Sequence, residues 1–102
     1  MADGTAVFKA LSDSSRRHIV ERLARRPMSV REITEGMAIS QPAVSQHLDV
    51  LKKAELVQVR AEGARNIYSI DPRGLGVIRA WLDRHWAEAL DNYAKLFEEG
   101  ND

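Results

Sequence analysis

The chain has no cysteine and no long apolar run. The first absence excludes disulfide bonds, thiolate metal ligands and thiol-based redox sensing. The second excludes a membrane-spanning helix, which needs roughly 20 consecutive apolar residues. The first ten residues, "MADGTAVFKA", show no basic segment followed by an apolar stretch, so no export signal is expected. Together these features predict a cytoplasmic protein with no membrane partner.

The chain also lacks an excess of charge of either sign, since 15 Lys and Arg residues balance 15 Asp and Glu residues. The distribution is uneven. Residues 1–65 contain 11 basic and 8 acidic residues, a net charge of +3, whereas residues 66–102 contain 4 and 7, a net charge of −3. Basic residues on one half of the chain would suit a one-faced anion binder. Scattered, solvated charge explains the same numbers equally well.

The helix signals in the N-terminal half are capping residues placed before apolar residues at helical spacing. Ser12 or Asp13 caps the second of two short helices. Ser29, with Glu32 three residues later, forms a capping-box pattern at the start of a third helix. After the short link "MAIS", Ser40 begins a fourth. The length of 102 residues favours one domain over 1–102.

The fourth helix, in "ISQPAVSQHLDVLKK" (residues 39–53), combines two patterns. Val44, Leu48 and Leu51 recur at i, i+4 and i+7, so they face the core. The first turn carries amides and hydroxyls where a solvated helix usually carries Glu or Lys. Helix N-termini can contact phosphate, and Gln and Ser can bond base edges. On this pattern alone, a helix that reads a DNA groove and an exposed helix with incidental polar residues are about equally good explanations. Together with the basic pairs and the hairpin that follows, the pattern favours a helix-turn-helix at about 29–53 that reads a DNA groove.

Strand-forming residues follow this helix. "LVQV" and the alternating "RNIYSI" are separated by the glycine turn "AEGA", which predicts a hairpin over about residues 56–70. A hairpin after a helix-turn-helix is the arrangement of a winged helix. The predicted fold class is therefore mainly α with a small β-hairpin: about five helices plus a two-stranded wing.

The last helix, over about residues 73–99, has more apolar surface than so small a domain can cover. Its apolar residues follow near-heptad spacing, as in a helix that packs on a partner helix. The seam comprises Leu75, Ile78, Leu82, His85, Ala89, Tyr93 and Leu96, and Trp81, Trp86 and Phe97 widen it. A second copy of the chain would cover this face.

Three blocks, in this order, carry a family resemblance: "FKALSDSSRRHIVERL", "ISQPAVSQHLDVLKKAELV" and "RAEGARNIYSI". They resemble the ArsR/SmtB family of bacterial winged-helix repressors over about residues 7–100. The resemblance implies a homodimer formed by the first and last helices. It also implies that the fourth helix enters the major groove of an inverted-repeat operator in double-stranded DNA, with the wing on the flanking backbone. The implied function is a transcriptional regulator that represses its own operon.

The resemblance also implies individual site residues. The expected DNA contacts are Ser40, Gln41, Ala43, Ser45, Gln46, His47, Arg60 and Arg65. Of these, His47 is expected to pack or to bond a phosphate, and the two arginines flank the wing turn. The first helix is expected to add Val7, Phe8 and Leu11 to the dimer interface of the seam.

The metal-ligand patterns of the family are missing at their expected places. The third helix, "SVREITEGM", has no Cys or His, and Asp71-Pro72-Arg73 stands where an Asp-x-His pair would begin the last helix. The pattern Asp83-Arg84-His85 comes about twelve residues later, with its two potential ligands about 200° apart on the helix. The sequence thus resembles a metal-independent branch, with no metal, no cofactor and no identifiable effector.

Two other functions remain open in the sequence, and a third is excluded. A metal-responsive regulator could use His85 with Glu88 or His18 across a dimer. A winged-helix module could instead bind protein without specific DNA binding. An enzyme is not expected, because Ser45 and His47 face different directions on one helix and no glycine-rich phosphate loop is present.

Overall fold

The computed structural model describes residues 3–99 as five helices and one antiparallel sheet. In chain order the elements are α1 (Gly4–Ala10), α2 (Ser14–Arg25), β1 (Met28–Ser29), α3 (Val30–Glu35), α4 (Gln41–Lys53), β2 (Val57–Glu62), β3 (Arg65–Ile70) and α5 (Pro72–Glu99). The predicted class, mainly helical with a small hairpin, is confirmed. The ends of the predicted 1–102 domain, residues 1–2 and 100–102, lie outside the described residues.

Two of the helix starts follow the capping residues in the sequence. Asp13, and not Ser12, caps α2, because its carboxylate accepts the backbone N–H of Arg16 at 3.1 Å. This hydrogen bond to the charged form lowers the pKa of Asp13. At α3 the capping box is confirmed: Ser29 Oγ accepts from the Glu32 N–H at 3.2 Å, and Glu32 Oε1 accepts from the Ser29 N–H at 3.1 Å.

The core lies where α1, α2, α3 and α4 meet the base of the hairpin. Its fully buried large apolar side chains are Val7, Ile19, Ile33, Val44, Leu48, Leu51, Leu56 and Val57. Burying a side chain of this size contributes roughly 1.5–3 kcal/mol. The apolar stripe of α4 predicted from its spacing therefore lies in the core as expected.

The sheet has one more strand than the sequence predicted. β1 pairs antiparallel with β3 through Met28 opposite Tyr68 and Ser29 opposite Ile67, so the strand order is β1-β3-β2. A strand of two residues is too short for any alternating pattern, so no periodic signal marked it in the sequence. The β2–β3 turn has two residues, and its first, Gly63, has φ of 62°, as a tight hairpin turn requires.

Arginine side chains of α2 hold the end of α1. Arg16 Nε donates to the Ala10 carbonyl at 2.6 Å, and Arg17 Nη1 donates to the Leu11 carbonyl at 2.8 Å. The last carbonyls of a helix have no partner within the helix, so these side chains satisfy groups that would otherwise need water. The arginines thereby fix α1 on α2.

A third arginine of α2 holds α3. The guanidinium of Arg22 donates to the carbonyls of Ile33 and Glu32, the latter at 3.1 Å. A Cβ at Gly36, the C-cap of α3, would overlap this guanidinium. The absence of a side chain at Gly36 therefore leaves room for the Arg22 hydrogen bonds that join α2 to α3, the first helix of the helix-turn-helix.

The first turn of α5 sits directly on the turn that follows α4. The Gly74 N–H donates to the Glu55 carbonyl at 2.8 Å, and the Asp71 N–H donates to the Leu56 carbonyl at 3.0 Å. Glu55 has a left-handed backbone with φ of 60°, which is uncommon for a residue with a side chain. The close approach requires glycine at 74, because a Cβ there would lie 2.5 Å from the Glu55 oxygen.

An ion pair strengthens the same junction. Arg73 Nη2 lies 2.7 Å from Asp71 Oδ2 and Arg73 Nε 3.1 Å from Asp71 Oδ1, a two-point contact with a buried carboxylate. The hydrogen bonds from Arg73 lower the pKa of Asp71, and the same contact raises the pKa of Arg73. Arg73 also lies 3.5 Å from Glu55, so it links α5 to the α4–β2 turn.

Beyond this junction α5 continues for most of its 28 residues along the outside of the domain. It packs on the core through the half-buried side chains of Leu75, Val77 and Ile78. From residue 79 to residue 98 every side chain is exposed. In the described part of the chain, no helix is both long and apolar enough to cross a membrane.

Two glycines in α5 provide a matched test of the junction. Gly74→Ala should destabilise the protein by about 1–3 kcal/mol, because the added methyl group meets backbone that cannot move away cheaply. Gly76→Ala, two residues later, meets nothing within 4 Å and should stabilise the helix by about 0.5–1 kcal/mol. Urea unfolding of both variants measures this. Equal effects of the two substitutions would contradict the proposed close approach.

Candidate nucleic-acid interface

The local sequence of α4 fixes which of its sides faces solvent. Ser40 caps the helix, its Oγ accepting from the Ala43 N–H at 3.3 Å. Val44, Leu48 and Leu51 are then fully buried and hold the helix against the core. The opposite side of the first two turns is therefore directed away from the protein.

Three polar side chains occupy that outer side. Gln41, Ser45 and Gln46 are exposed, and Ala43 beside them is half-buried. Within residues 3–99, no protein group hydrogen-bonds any of these three polar side chains. Their donors and acceptors are free for an external partner, together with the backbone N–H of Gln41, whereas the N–H groups of Ala43 and Val44 are bonded to Ser40.

His47 differs from its neighbours. It is half-buried, and its Nδ1 lies 3.4 Å from Nη1 of Arg16. A guanidinium can only donate, so a hydrogen bond between these two atoms requires Nδ1 to be the acceptor. The structure thus places His47 against Arg16, and a contact of His47 with DNA stays a prediction.

The two wing arginines are placed differently. Both are exposed, but Arg60 Nη2 pairs with Glu62 Oε2 at 3.1 Å. In the described range, no carboxylate oxygen lies within 4.0 Å of the Arg65 guanidinium. Arg65 adjoins Gly63 and the tip of the hairpin, so it can meet an anion without breaking a contact. An exposed pair such as Arg60–Glu62 contributes only about 0–1 kcal/mol, so it can exchange at low cost.

The basic pairs of the sequence serve mainly to bind other parts of the chain. Arg16 and Arg17 donate to carbonyls of α1, and Arg26 pairs with the capping-box carboxylate at 2.8 Å. Lys53 pairs with Asp49 at 3.4 Å. Part of the positive charge in residues 1–65 is therefore engaged within the protomer, although the exposed Lys53–Asp49 pair can exchange at low cost.

The second surface is the apolar outer face of α5. The exposed large apolar side chains of this face are Trp81, Leu82, Trp86, Leu90, Tyr93, Leu96 and Phe97 of α5, together with Phe8 of α1. The rings of Phe8 and Trp81 meet edge-on at a centroid distance of 5.5 Å, which joins α1 to α5 in one surface. A contiguous apolar face of this kind usually marks an interaction site.

The residues predicted for the dimer interface fall into three groups. Val7 is fully buried in the protomer, so it has no surface to offer a partner and supports the core instead. Leu11, Leu75 and Ile78 are half-buried against the core. The residues that are exposed as expected are Phe8, Trp81, Leu82, His85, Ala89, Tyr93 and Leu96.

Leu90 is an exposed apolar residue that the sequence-based seam omitted. A second apolar seam lies beside the first and shares residues 82 and 93 with it. It consists of residues 82, 86, 90, 93 and 97, which recur at spacings of four, four, three and four. The sequence already indicated this wider apolar surface, because Trp86 and Phe97 extended the predicted apolar face of the last helix beyond its seam. The apolar surface is consequently broader than one heptad stripe.

The Asp-x-His pattern of α5 does not form a chelating pair. Because a carbonyl oxygen only accepts, His85 Nδ1–H donates to the Trp81 carbonyl, at 2.8 Å, and its ring stacks on Trp81 at 4.3 Å. Asp83 instead pairs with Arg79 at 3.7 Å. Within residues 3–99 of one chain, no three His, Cys, Asp or Glu side chains gather so as to hold a metal ion. Independence of metal stays a prediction.

Comparison with known proteins identifies the family. The model for the bacterial regulatory protein family arsR matches residues 13–59, from the cap of α2 into β2. The HTH-type transcriptional regulator Rv2034 of Mycobacterium tuberculosis is 51% identical over 96 residues, which cover 93% of this chain and 90% of that protein. The chain belongs to the ArsR family of bacterial transcriptional regulators.

Further relatives agree with this ArsR-family assignment. The transcriptional repressor SdpR of Bacillus subtilis is 40% identical over 76 residues, covering 74% of this chain and 84% of SdpR. The solution structure of the homodimeric winged helix-turn-helix DNA-binding domain Mb0332 of Mycobacterium bovis has a TM-score of 0.67 and 28% identity, covering 86% of this chain and 82% of that one. The predicted fold and regulator class, which is not an enzyme class, are confirmed. The branch within the family stays a prediction.

The capping box of α3 makes a pH-dependent contribution to stability. Hydrogen bonds from Arg26 and from the Ser29 N–H lower the pKa of Glu32 from 4.5 to about 2. Because the folded value is the lower one, the charged carboxylate stabilises the fold above about pH 4.5, and this stabilisation is lost as the pH falls from 4.5 towards 2. Glu32→Gln should therefore be less stable than wild type at pH 7.

The measurement is urea unfolding at a series of pH values. The gap in unfolding free energy between wild type and Glu32→Gln should close between pH 4.5 and pH 2. Glu35→Gln is the control in the same helix, since Glu35 makes only an exposed contact with Arg31. A gap for Glu32→Gln that does not change with pH would contradict the assigned role of the charge.

Proposed function

We propose that this chain is a homodimeric, sequence-specific DNA-binding repressor of its own operon, acting in the cytoplasm as one winged-helix domain. One observation carries the proposal. The first two turns of α4 present unpartnered amide and hydroxyl groups on a helix whose other side is in the core. In an ArsR-family chain, DNA is the partner that this surface fits best.

In the proposed complex, α4 lies in the major groove as the second helix of a helix-turn-helix at about residues 29–53. Gln46 lies opposite the buried stripe and projects deepest, with Gln41 and Ser45 beside it. Amide side chains can bond adenine edges at two points, and the Ala43 methyl group can contact thymine. The Ser40 hydroxyl, which can still donate, and the open N–H of Gln41 at the helix start are suited to a phosphate.

The wing, residues 56–70, is proposed to hold the flanking backbone. Arg65 is the stronger candidate because its guanidinium is not engaged by a carboxylate in the described structure. Arg60 can join after exchanging Glu62 for a phosphate. These contacts carry affinity and register but no sequence information of their own.

The proposed dimer uses the apolar outer face of α5 with Phe8. The relative Mb0332 is described as homodimeric, which supports a dimer of this chain. A two-fold axis would place two α4 helices against an inverted repeat, with half-site centres about 10 bp apart. Repression is supported by the relative SdpR, a transcriptional repressor. We expect no metal or other cofactor to be needed.

The dimer is tested by placing charge on the exposed apolar face. Leu82→Asp combined with Leu96→Asp should give folded monomers, because both side chains are exposed in the protomer and would become buried charges in a dimer. Lys95→Asp is the control, since it adds the same carboxylate at a position that is already charged. Analytical ultracentrifugation reports the oligomeric state. A double variant that sediments as the wild-type dimer would show that another surface pairs.

Base reading is tested by comparing two single substitutions. Gln46→Ala should weaken binding to the operator by about 1–3 kcal/mol and leave binding to a scrambled duplex nearly unchanged. Arg65→Ala should weaken both duplexes similarly and lower the salt slope by about one unit. Fluorescence anisotropy at several salt concentrations, with duplexes from the promoter of its own operon, measures both effects.

Two results of this assay would contradict the proposal. If Gln46→Ala weakens both duplexes equally, α4 holds DNA without reading it. If the wild-type protein retains no promoter duplex specifically and shows no fall in affinity with salt, the fold serves as a protein-interaction module instead.

A further inference from the structure

Arg16 lies where three helices meet. Its side chain is only 17% exposed, and its guanidinium donates to the Ala10 carbonyl at 2.6 Å and the Lys9 carbonyl at 3.4 Å, at the end of α1. Its Nη1 also donates to His47 Nδ1 in α4 at 3.4 Å. Among residues 3–99, no other side chain hydrogen-bonds both α1 and α4.

The two helices joined by Arg16 belong to different surfaces. α1 packs on α5, where the rings of Phe8 and Trp81 meet edge-on, so it is part of the apolar dimer face. α4 carries the exposed polar side chains that are proposed to contact DNA. A rotation of α4 relative to α1 would therefore change how two α4 helices are spaced across a dimer axis.

We propose that Arg16 is a positioning residue which, through His47, sets the spacing of the two recognition helices and so selects operators by half-site separation. This inference rests on the proposed function. Half-site spacing on DNA is a geometric requirement, because one added base pair rotates one half-site relative to the other by roughly 35°. A dimer with firmly oriented α4 helices tolerates such a change poorly.

The acceptor on His47 can be removed or replaced without touching Arg16. His47→Leu removes the acceptor, whereas His47→Gln supplies an amide oxygen that can accept from the same guanidinium. Arg16→Leu removes the hydrogen bonds of this side chain to both α1 and His47. Arg17→Leu is the matched control, because Arg17 also donates to the end of α1, at the Leu11 carbonyl, but has no hydrogen bond to α4.

The probes are the promoter duplex that the wild-type protein binds and two derivatives with one base pair added or removed between its half-sites. Wild type and Arg17→Leu should strongly prefer the native spacing. His47→Leu should bind the native duplex up to about fivefold more weakly, because the net value of one intramolecular hydrogen bond limits how strongly it can favour the binding orientation of α4. Its preference for native over altered spacing should fall by a similar factor. His47→Gln should restore both values, and Arg16→Leu should resemble His47→Leu.

Two outcomes would overturn the inference while leaving the proposed function intact. One is an unchanged spacing preference in His47→Leu. The other is equal weakening of the native, altered and scrambled duplexes, which would show that His47 contacts a phosphate directly. A wild-type protein that binds no promoter duplex would instead contradict the proposed function, and this inference with it. Circular dichroism melting of each variant confirms that the binding differences arise in folded protein.

Discussion

The arrangement of the short helices depends on arginine side chains of α2 that donate to carbonyls of neighbouring helices. α1 has 7 residues and α3 has 6, and helices of this length are not stable alone. Each leaves its last carbonyls without internal partners. Arg16 and Arg17 donate to the carbonyls of Ala10 and Leu11 at the end of α1, and Arg22 donates to those of Glu32 and Ile33 in α3. Because α3 then packs against α4, α2 indirectly sets the orientation of the helix proposed to read DNA.

Because the arginines of α2 bind carbonyls of neighbouring helices, the surface of α4 that is proposed to contact DNA is polar more than basic. Most cations of the N-terminal half are engaged by carbonyls or carboxylates, so the exposed amides of Gln41 and Gln46 distinguish the face of α4. Hydrogen-bond donors and acceptors read bases, whereas cations mainly hold the phosphates. A formal net charge of zero is compatible with specific DNA binding on these terms. Long-range electrostatic attraction is expected to be modest.

Much of this architecture was predictable, because local signals were strong where helices begin and where apolar residues recur. The capping box at Ser29, the buried stripe of α4 and the hairpin all follow from short-range patterns. β1 was missed because two residues have no periodicity. The burial of Val7 and the hydrogen bonds made by Arg16 could not be predicted. They depend on which helices contact one another in the fold, and residue spacing along the chain does not contain that information.

Two α4 helices of a dimer are proposed to read an inverted repeat in DNA. The most direct measurement is selection of duplexes by the wild-type protein from a fully randomised pool, followed by sequencing. We expect enrichment of two inverted half-sites with centres about 10 bp apart. Failure to enrich any sequence, or enrichment of a single half-site without its inverted partner, would contradict it.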